Sequence, residues 1–342
     1  MKSRILSILV LGLLLAASAG ALFGQNQPAC DRACLEGFLD RYLDALVAND
    51  AIRLPLAKTA RFTENGQRLE LNDGLWNTAT GKGSYRLAVP DVEAGQIAFI
   101  ATIREADAPT ILAARLKVQA QKITEIETLV VRDQQAAENL EKLGKPNPRF
   151  AEAVPAAERP SRQELINTAN MYFSGIQLND GKGVYPFSDD CNRLENGVQT
   201  TNNPNMTPPP PEAVGGRRQT PQQQRDETYS AAWSCKKQFE SGMLHIVTRV
   251  RDRRFVAVDR EHGVVFAFGF FDHAAGKTRT FKIPDGRTVT SGPVTPWTWE
   301  IAELFKIDHG RIRQIEAVIN HSEYGMTSGW SSWEDGMSSR AR

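Results

Sequence analysis

Asp272 and His273 sit side by side at the end of the apolar stretch "DREHGVVFAFGFFDH" (259–273). A carboxylate beside an imidazole is a pairing suited to acid–base chemistry, in which the acid fixes the tautomer of the ring. Under a period of two, Ile315, Ala317, Ile319 and His321 share one side of a later strand, and Tyr324 follows. If the isoleucines face an interior, His321 faces it at its mouth. The pattern predicts His321 and His273 as general base and acid, Asp272 as the group fixing a tautomer, and Tyr324 as donor to a developing oxyanion. Trp297, Trp299, Phe268, Phe270 and Trp330 supply an aromatic lining for a cyclic, aromatic or carbohydrate-like substrate. The competing reading is plainer: these are strand-end residues meeting water. Asp272 and His273 point to opposite faces, so only one lines a pocket unless a bulge intervenes.

Two histidines and an aspartate can also hold iron or zinc, but no His-x-Asp or His-x-x-x-His spacing supports this, and no metal is expected. The chain carries no G-x-S-x-G elbow, no Walker motif and no G-x-G-x-x-G after a strand, and no cofactor is expected.

The elements that must position these residues are written twice. "LEGFLDRYLDALVAND" (35–50) matches "LINTANMYFSGIQLND" (165–180) without gaps, and "YRLAVPDVEAGQIAFIATI" (85–103) matches "RRFVAVDREHGVVFAFGFF" (253–271). "LKVQAQKITEIETLVV" (116–131) matches "FKIDHGRIRQIEAVIN" (305–320), and "RFTENG" (61–66) matches "NRLENG" (192–197). Blocks in the same order mean an internal duplication. In the first block Leu35, Phe38, Leu39, Tyr42, Leu43, Leu46 and Val47 recur at three- and four-residue steps, one apolar face of a helix. Its counterpart opens on Ser161-x-x-Glu164, a capping box. The last block predicts a hairpin turning at Asp308-His309-Gly310. Glu-Asn-Gly reads as a turn in both copies, with a pocket role as the alternative.

The pattern "FKIDHGRIRQIEAVI" after such a helix resembles the NTF2-like, or SnoaL-like, superfamily over both copies, roughly 30–133 and 160–325. "LPLAKTARFTENG…GLW" and "EYGMTSGW" look like a group of secreted proteins of undefined activity within it. The resemblance implies an α+β fold class: two tandem NTF2-like cone folds, each a helix packed on a curved antiparallel sheet, forming an internal pseudo-dimer. It also implies cofactor-free proton abstraction next to an activated carbon, giving a lyase, dehydratase or isomerase, although the superfamily includes non-catalytic modules.

Lys2 and Arg4 precede the apolar run Ile5–Leu15 and the small residues "AASAGA", which predicts a signal peptide over 1–21 and a periplasmic or secreted protein with no membrane anchor after its removal. Copy one is expected over 30–133, a linker over 134–160, copy two over 161–330 with a Pro-rich insertion at 200–230, and a tail over 331–342. With 41 basic against 40 acidic residues and a net charge of +1, no positive field is present to hold nucleic acid. Cys30, Cys34, Cys191 and Cys235 allow three pairings. A local Cys30–Cys34 clip and a Cys191–Cys235 staple across the insertion are favoured, against zinc as the alternative. The expected partner is a small molecule, with internal pairing of the copies preferred over a homodimer. Two functions therefore compete: an exported acid–base enzyme using copy two, and a ligand-binding or assembly module.

Overall fold

Asp31 and Ser161 start the two long helices, and each accepts a hydrogen bond from a backbone N–H of the first turn. The expected capping box is present, Ser161 and Glu164 satisfying each other's backbone amides. The computed structural model describes residues 30–206, 229–276 and 295–342, with 279–282, 286 and 288–291 between them. The expected signal peptide and residues 207–228 of the insertion lie outside the described residues.

Copy one runs α1 (Arg32–Val47), β1 (Leu56–Glu64), β2 (Gln67–Leu69), a short helix α2 (Leu75–Thr78), β3 (Ala79–Asp91), β4 (Gln96–Glu105), β5 (Ala108–Gln119) and β6 (Lys122–Val131). After the connecting helix α3 (Gln134–Leu143), copy two runs α4 (Arg162–Leu178), β7 (Phe187–Glu195), β8 (Val198–Gln199), β9 (Arg249–Asp259) and β10 (Val264–His273). A small ribbon, β11 (Arg279–Lys282) with β12 (Thr288–Ser291), precedes β13 (Trp297–Asp308) and β14 (Arg311–Ser322). The two six-stranded sheets have matching orders, β2-β1-β6-β5-β4-β3 and β8-β7-β14-β13-β10-β9.

This architecture corrects the expected pair of cones on antiparallel sheets. Each sheet is mixed, because β1 runs parallel to β6 and β7 parallel to β14. The hairpin pattern reports only neighbours joined by turns, whereas the parallel pair is made by strands far apart in the chain. With one long helix in each copy, helix is also too sparse to build a cone.

Three apolar cores separate four layers: helix, sheet, sheet and helix. The stripe Leu35, Phe38, Leu39, Tyr42, Leu43 and Leu46 of α1 is buried on the first sheet. Leu165, Tyr172, Phe173 and Ile176 of α4 are buried on the second. Between the sheets, Tyr85, Ile100 and Leu129 of copy one meet Phe266, Phe268 and Leu304 of copy two, and α3 adds Ala137 and Leu140.

The contact between copies is reciprocal. Arg32, at the start of α1, binds Asp259 at 2.8 Å, while Arg162, at the start of α4, binds Asp91 at 2.6 Å. Both arginines and both aspartates are matched positions of the repeat, which is the signature of a two-fold relation. Asn65 and Asn196 are equally matched: each takes a left-handed backbone and hydrogen-bonds the last strand of its own sheet, at Val130 and Ile319. Glu-Asn-Gly is therefore a turn in both copies.

The disulfides are Cys30–Cys34 and Cys191–Cys235, the favoured pairing. The second closes a separation of 44 residues and ties β7 to the short helix Cys235–Glu240. Closing a loop of that length in the unfolded chain is worth about 4 kcal/mol. The C-terminal residues return to β9, where the Arg342 amide donates to the Arg253 carbonyl at 2.9 Å.

Candidate active site

Along β13, Trp299, Ile301, Glu303 and Phe305 share the face turned toward α4, so one carboxyl interrupts an otherwise apolar wall. Glu303 is 2% exposed. The Tyr172 hydroxyl of α4 hydrogen-bonds it, and Arg193 and Glu195 of β7 stand beside it. Arg193 ion-pairs with Glu195 at 3.0 Å, and donates to Thr200 Oγ1 at 3.0 Å and Gln238 Oε1 at 2.7 Å. These polar groups line a small cavity of ≈ 30 Å³, whose apolar lining includes Ile176, Leu244, Phe271 and Ile319. By this measure it has room for about two waters.

Glu303 Oε2 is buried and has no hydrogen-bond partner among the described residues. Burial pushes the Glu303 carboxyl up to about 8; Tyr172 opposes the shift, Glu195 adds to it, and Arg193 opposes it. A carboxyl neutral at pH 7 on the wall of a cavity can donate a proton there. Arg193 remains cationic and can stabilise a developing oxyanion.

The two copies differ at these positions. Strand pairing sets Arg193 opposite Ile315 and Phe62 opposite Ile126, and likewise Glu303 opposite Ala317 and Ala114 opposite Thr128. Copy one thus has Phe62 and Ala114 where copy two has Arg193 and Glu303. It keeps Tyr42 and Glu64 at the places of Tyr172 and Glu195, but Glu64 is committed to the Leu75 amide at 2.8 Å and to Arg132 at 2.7 Å. Tyr42 packs edge-on against Trp76, with ring centroids 5.6 Å apart.

The sequence-predicted acid–base group is not assembled. Asp272 is buried on the opposite face from His273, bound by Arg249 and Arg251 and by the Thr298 hydroxyl. It is therefore an ion-pair anchor. His273 stacks flat on Trp297 with centroids 3.5 Å apart and meets Trp299 edge-on at 4.6 Å. Burial depresses its pKa to about 3, so it stays neutral and cannot act as an acid near pH 7. His321 also stacks on Trp297, at 4.9 Å, and is exposed. Tyr324 is 43% exposed and lies outside the cavity lining.

Of the predicted substrate contacts, Trp299 alone lines the cavity. Trp297 is buried in the histidine stack. Phe268 packs between the two sheets, and Phe270 lies under the Arg251 guanidinium at 4.6 Å, both on the face away from α4. Trp330 lines a separate cleft between the copies. Asp259, Glu261 and His262 cluster closely enough for a cation, but the Arg32 guanidinium already reaches all three, at 2.8, 2.9 and 3.2 Å.

Buried acids set the pH dependence of stability. Burial raises Glu303 and Glu300 to about 8 and Glu316 to about 7. Glu127 adds to the shift at Glu300 while Arg254 opposes it, and the Tyr85 hydrogen bond opposes the shift at Glu316. Each is protonated in the fold where the unfolded chain has already ionised, so its stabilising effect is full below about 4.5 and is lost as pH rises through 7 to 8. His273 acts in the opposite direction, costing stability as pH falls below about 6.5 toward 3. With three such acids against one histidine, thermal unfolding should be highest near pH 4.5–5 and fall steadily toward pH 8.5, and Glu316→Gln should flatten that fall. A melting temperature that rises from pH 6 to pH 8.5 contradicts these protonation states.

The family described as "Domain of unknown function (DUF8021)" matches residues 29–130 and 158–319, one segment in each copy. No curated protein matches the chain. Among solved structures, a de novo designed protein with curved beta-sheet is similar at 13% identity, over 47% of this chain and 88% of that one, with a TM-score of 0.24. Among the described residues, no helix is long and apolar enough to cross a membrane.

Proposed function

From the premise that the chain belongs to the DUF8021 family, a domain of unknown function, we propose that it is an exported small-molecule lyase, dehydratase or isomerase whose acid–base chemistry resides in the cavity of copy two. The substrate class remains cyclic, aromatic or carbohydrate-like, since Trp299 and Phe271 form part of the cavity wall. The reaction class is the one that a buried proton donor beside an arginine and a second carboxylate can carry. Export is supported by two disulfides, which belong to an oxidising compartment. Internal packing of the two sheets, which covers their facing surfaces, favours a monomer over a homodimer.

One observation carries the enzymatic reading. Copy two keeps a buried carboxyl of Glu303, one oxygen unpartnered among the described residues, on a cavity beside Arg193, where copy one has small and apolar residues. In a dehydration, Glu195 takes the proton next to an activated carbon, Arg193 stabilises the oxyanion that forms, and Glu303 protonates the departing hydroxyl. In an isomerisation the same proton returns to a different carbon.

At ≈ 30 Å³ the cavity is too small for such a substrate, so entry requires movement. Most of the lining comes from strands or from α4, whereas Leu244 and Val247 belong to, or immediately follow, the single 3-10 turn Met243–Ile246. Opening falls to that turn, which lacks a strand ladder to hold it.

The test is a screen of the mature protein in D2O against cyclic alcohols, hydroxyketones and uronate sugars, with and without chelator. Deuterium entering carbon next to the carbonyl, or loss of water, is the expected result and should be indifferent to chelator. The small size of the cavity favours a second reading, a ligand-binding module. Binding without exchange or turnover for any tested compound would select it.

A further inference from the structure

We propose that the cleft between the two copies is a second ligand site, one that holds a small hydroxylated monocarboxylate through Arg61. The cleft has a volume of ≈ 520 Å³, within the usual range for small-molecule sites of about 300–1,000 Å³. It is lined by β1, β5 and β6 of copy one, β9 of copy two and Trp330 from the C-terminal segment.

Three arginines face it, and two are already neutralised. Arg254 binds both oxygens of Glu127 across the copies, at 2.9 and 2.7 Å. Arg115 binds Glu125 at 2.5 Å and Glu127 at 3.1 Å. Arg61 has no hydrogen-bond or ion-pair partner among the described residues, and its Nε is buried without an acceptor. Its guanidinium lies over the Trp330 ring at 4.3 Å, and the indole is itself fixed by donating to Thr63 Oγ1 at 2.8 Å. A planar fork of donors, oriented and uncommitted, fits a carboxylate in two parallel bonds.

The remaining walls narrow the ligand. Thr59, Thr124 and Gln119 offer hydroxyl and amide partners suited to ligand hydroxyls. Because Glu125 and Glu127 already offset Arg115 and Arg254, the cleft offers one uncommitted cation, which suits a single negative charge over a dianion such as phosphate. Copy two has Asn192 at the position of Arg61, so the site belongs to copy one's wall alone. It shares no lining residue with the cavity of Glu303, and each proposal can fail without the other.

The test is calorimetric titration of the full mature chain with D-galacturonate, D-galactose and inorganic phosphate. Galacturonate is expected to bind at least tenfold tighter than galactose and tighter than phosphate, with affinity falling as salt is added. Arg61→Gln should weaken galacturonate at least tenfold while lowering the melting temperature of the free protein only slightly, because Arg61 makes no ion pair among the described residues and loses only its contact with the Trp330 ring. Arg61→Lys, which keeps the charge without the fork, should fall between them. Equal binding of galactose, wild-type affinity in Arg61→Gln, or no binding of galacturonate up to its solubility overturns the assignment. Tighter binding of phosphate overturns the monocarboxylate.

Discussion

Glu303→Gln is expected to abolish turnover and to make the protein more stable in alkali. A positioned proton donor contributes roughly 10²–10⁴-fold to rate, and glutamine keeps the shape and the Tyr172 contact while offering no transferable proton. The same change removes a buried group that must ionise as pH rises through about 8. At pH 8.5 the variant should therefore melt above the wild type, and the difference should close as pH falls toward about 4.5. Loss of activity coupled to gain of alkaline stability separates a catalytic acid from a residue that merely packs. Arg193→Met gives the counter-case: it should lose turnover and also stability, because Glu195 loses its ion-pair partner and Thr200 and Gln238 lose their donor. Turnover in Glu303→Gln within threefold of wild type would refute the proton-transfer role.

Much of the fold was legible because it rests on local chemistry repeated twice. The apolar stripe of α1, the Ser161–Glu164 box and the Glu-Asn-Gly turns each follow from short-range spacing. Pairing of β1 with β6 and of β7 with β14 was not legible: nothing in a strand's alternation says which distant strand it joins, or in which direction. The sequence draws attention to other residues than Glu303 for a related reason. Ionisable residues at strand ends stand out in a sequence, but there water or arginine partners satisfy them, as Asp272 is satisfied. A carboxyl inside the alternation Trp299, Ile301, Glu303, Phe305 is quieter and more costly, since it is forced into an apolar wall. Aligning the copies two residues beyond the matched block sets Glu303 against Ala114, and the Glu-Asn-Gly block already sets Arg193 against Phe62. That contrast was the available signal.

Asp272→Asn should unfold copy two early without touching the chemistry. Asp272 is fully buried and accepts from Arg249 at 2.8 and 2.5 Å, from Arg251 at 2.8 Å and from the Thr298 hydroxyl at 2.8 Å. Arg251 is itself fully buried and also holds the Met326 carbonyl at 2.7 Å, which anchors the C-terminal segment to the sheet. Neutralising the carboxylate leaves that guanidinium buried against dipoles alone, a loss of about 3–5 kcal/mol. For a unit of this size the melting temperature should fall by roughly 10 °C. Because the cost arises from an uncompensated charge, Arg251→Met added to Asp272→Asn should restore part of the stability, giving a double variant better than the sum of the singles. Turnover per folded molecule should stay at wild-type level in Asp272→Asn below its transition. A small change in melting temperature together with lost turnover would return Asp272 to the active site and remove the case for an ion-pair anchor.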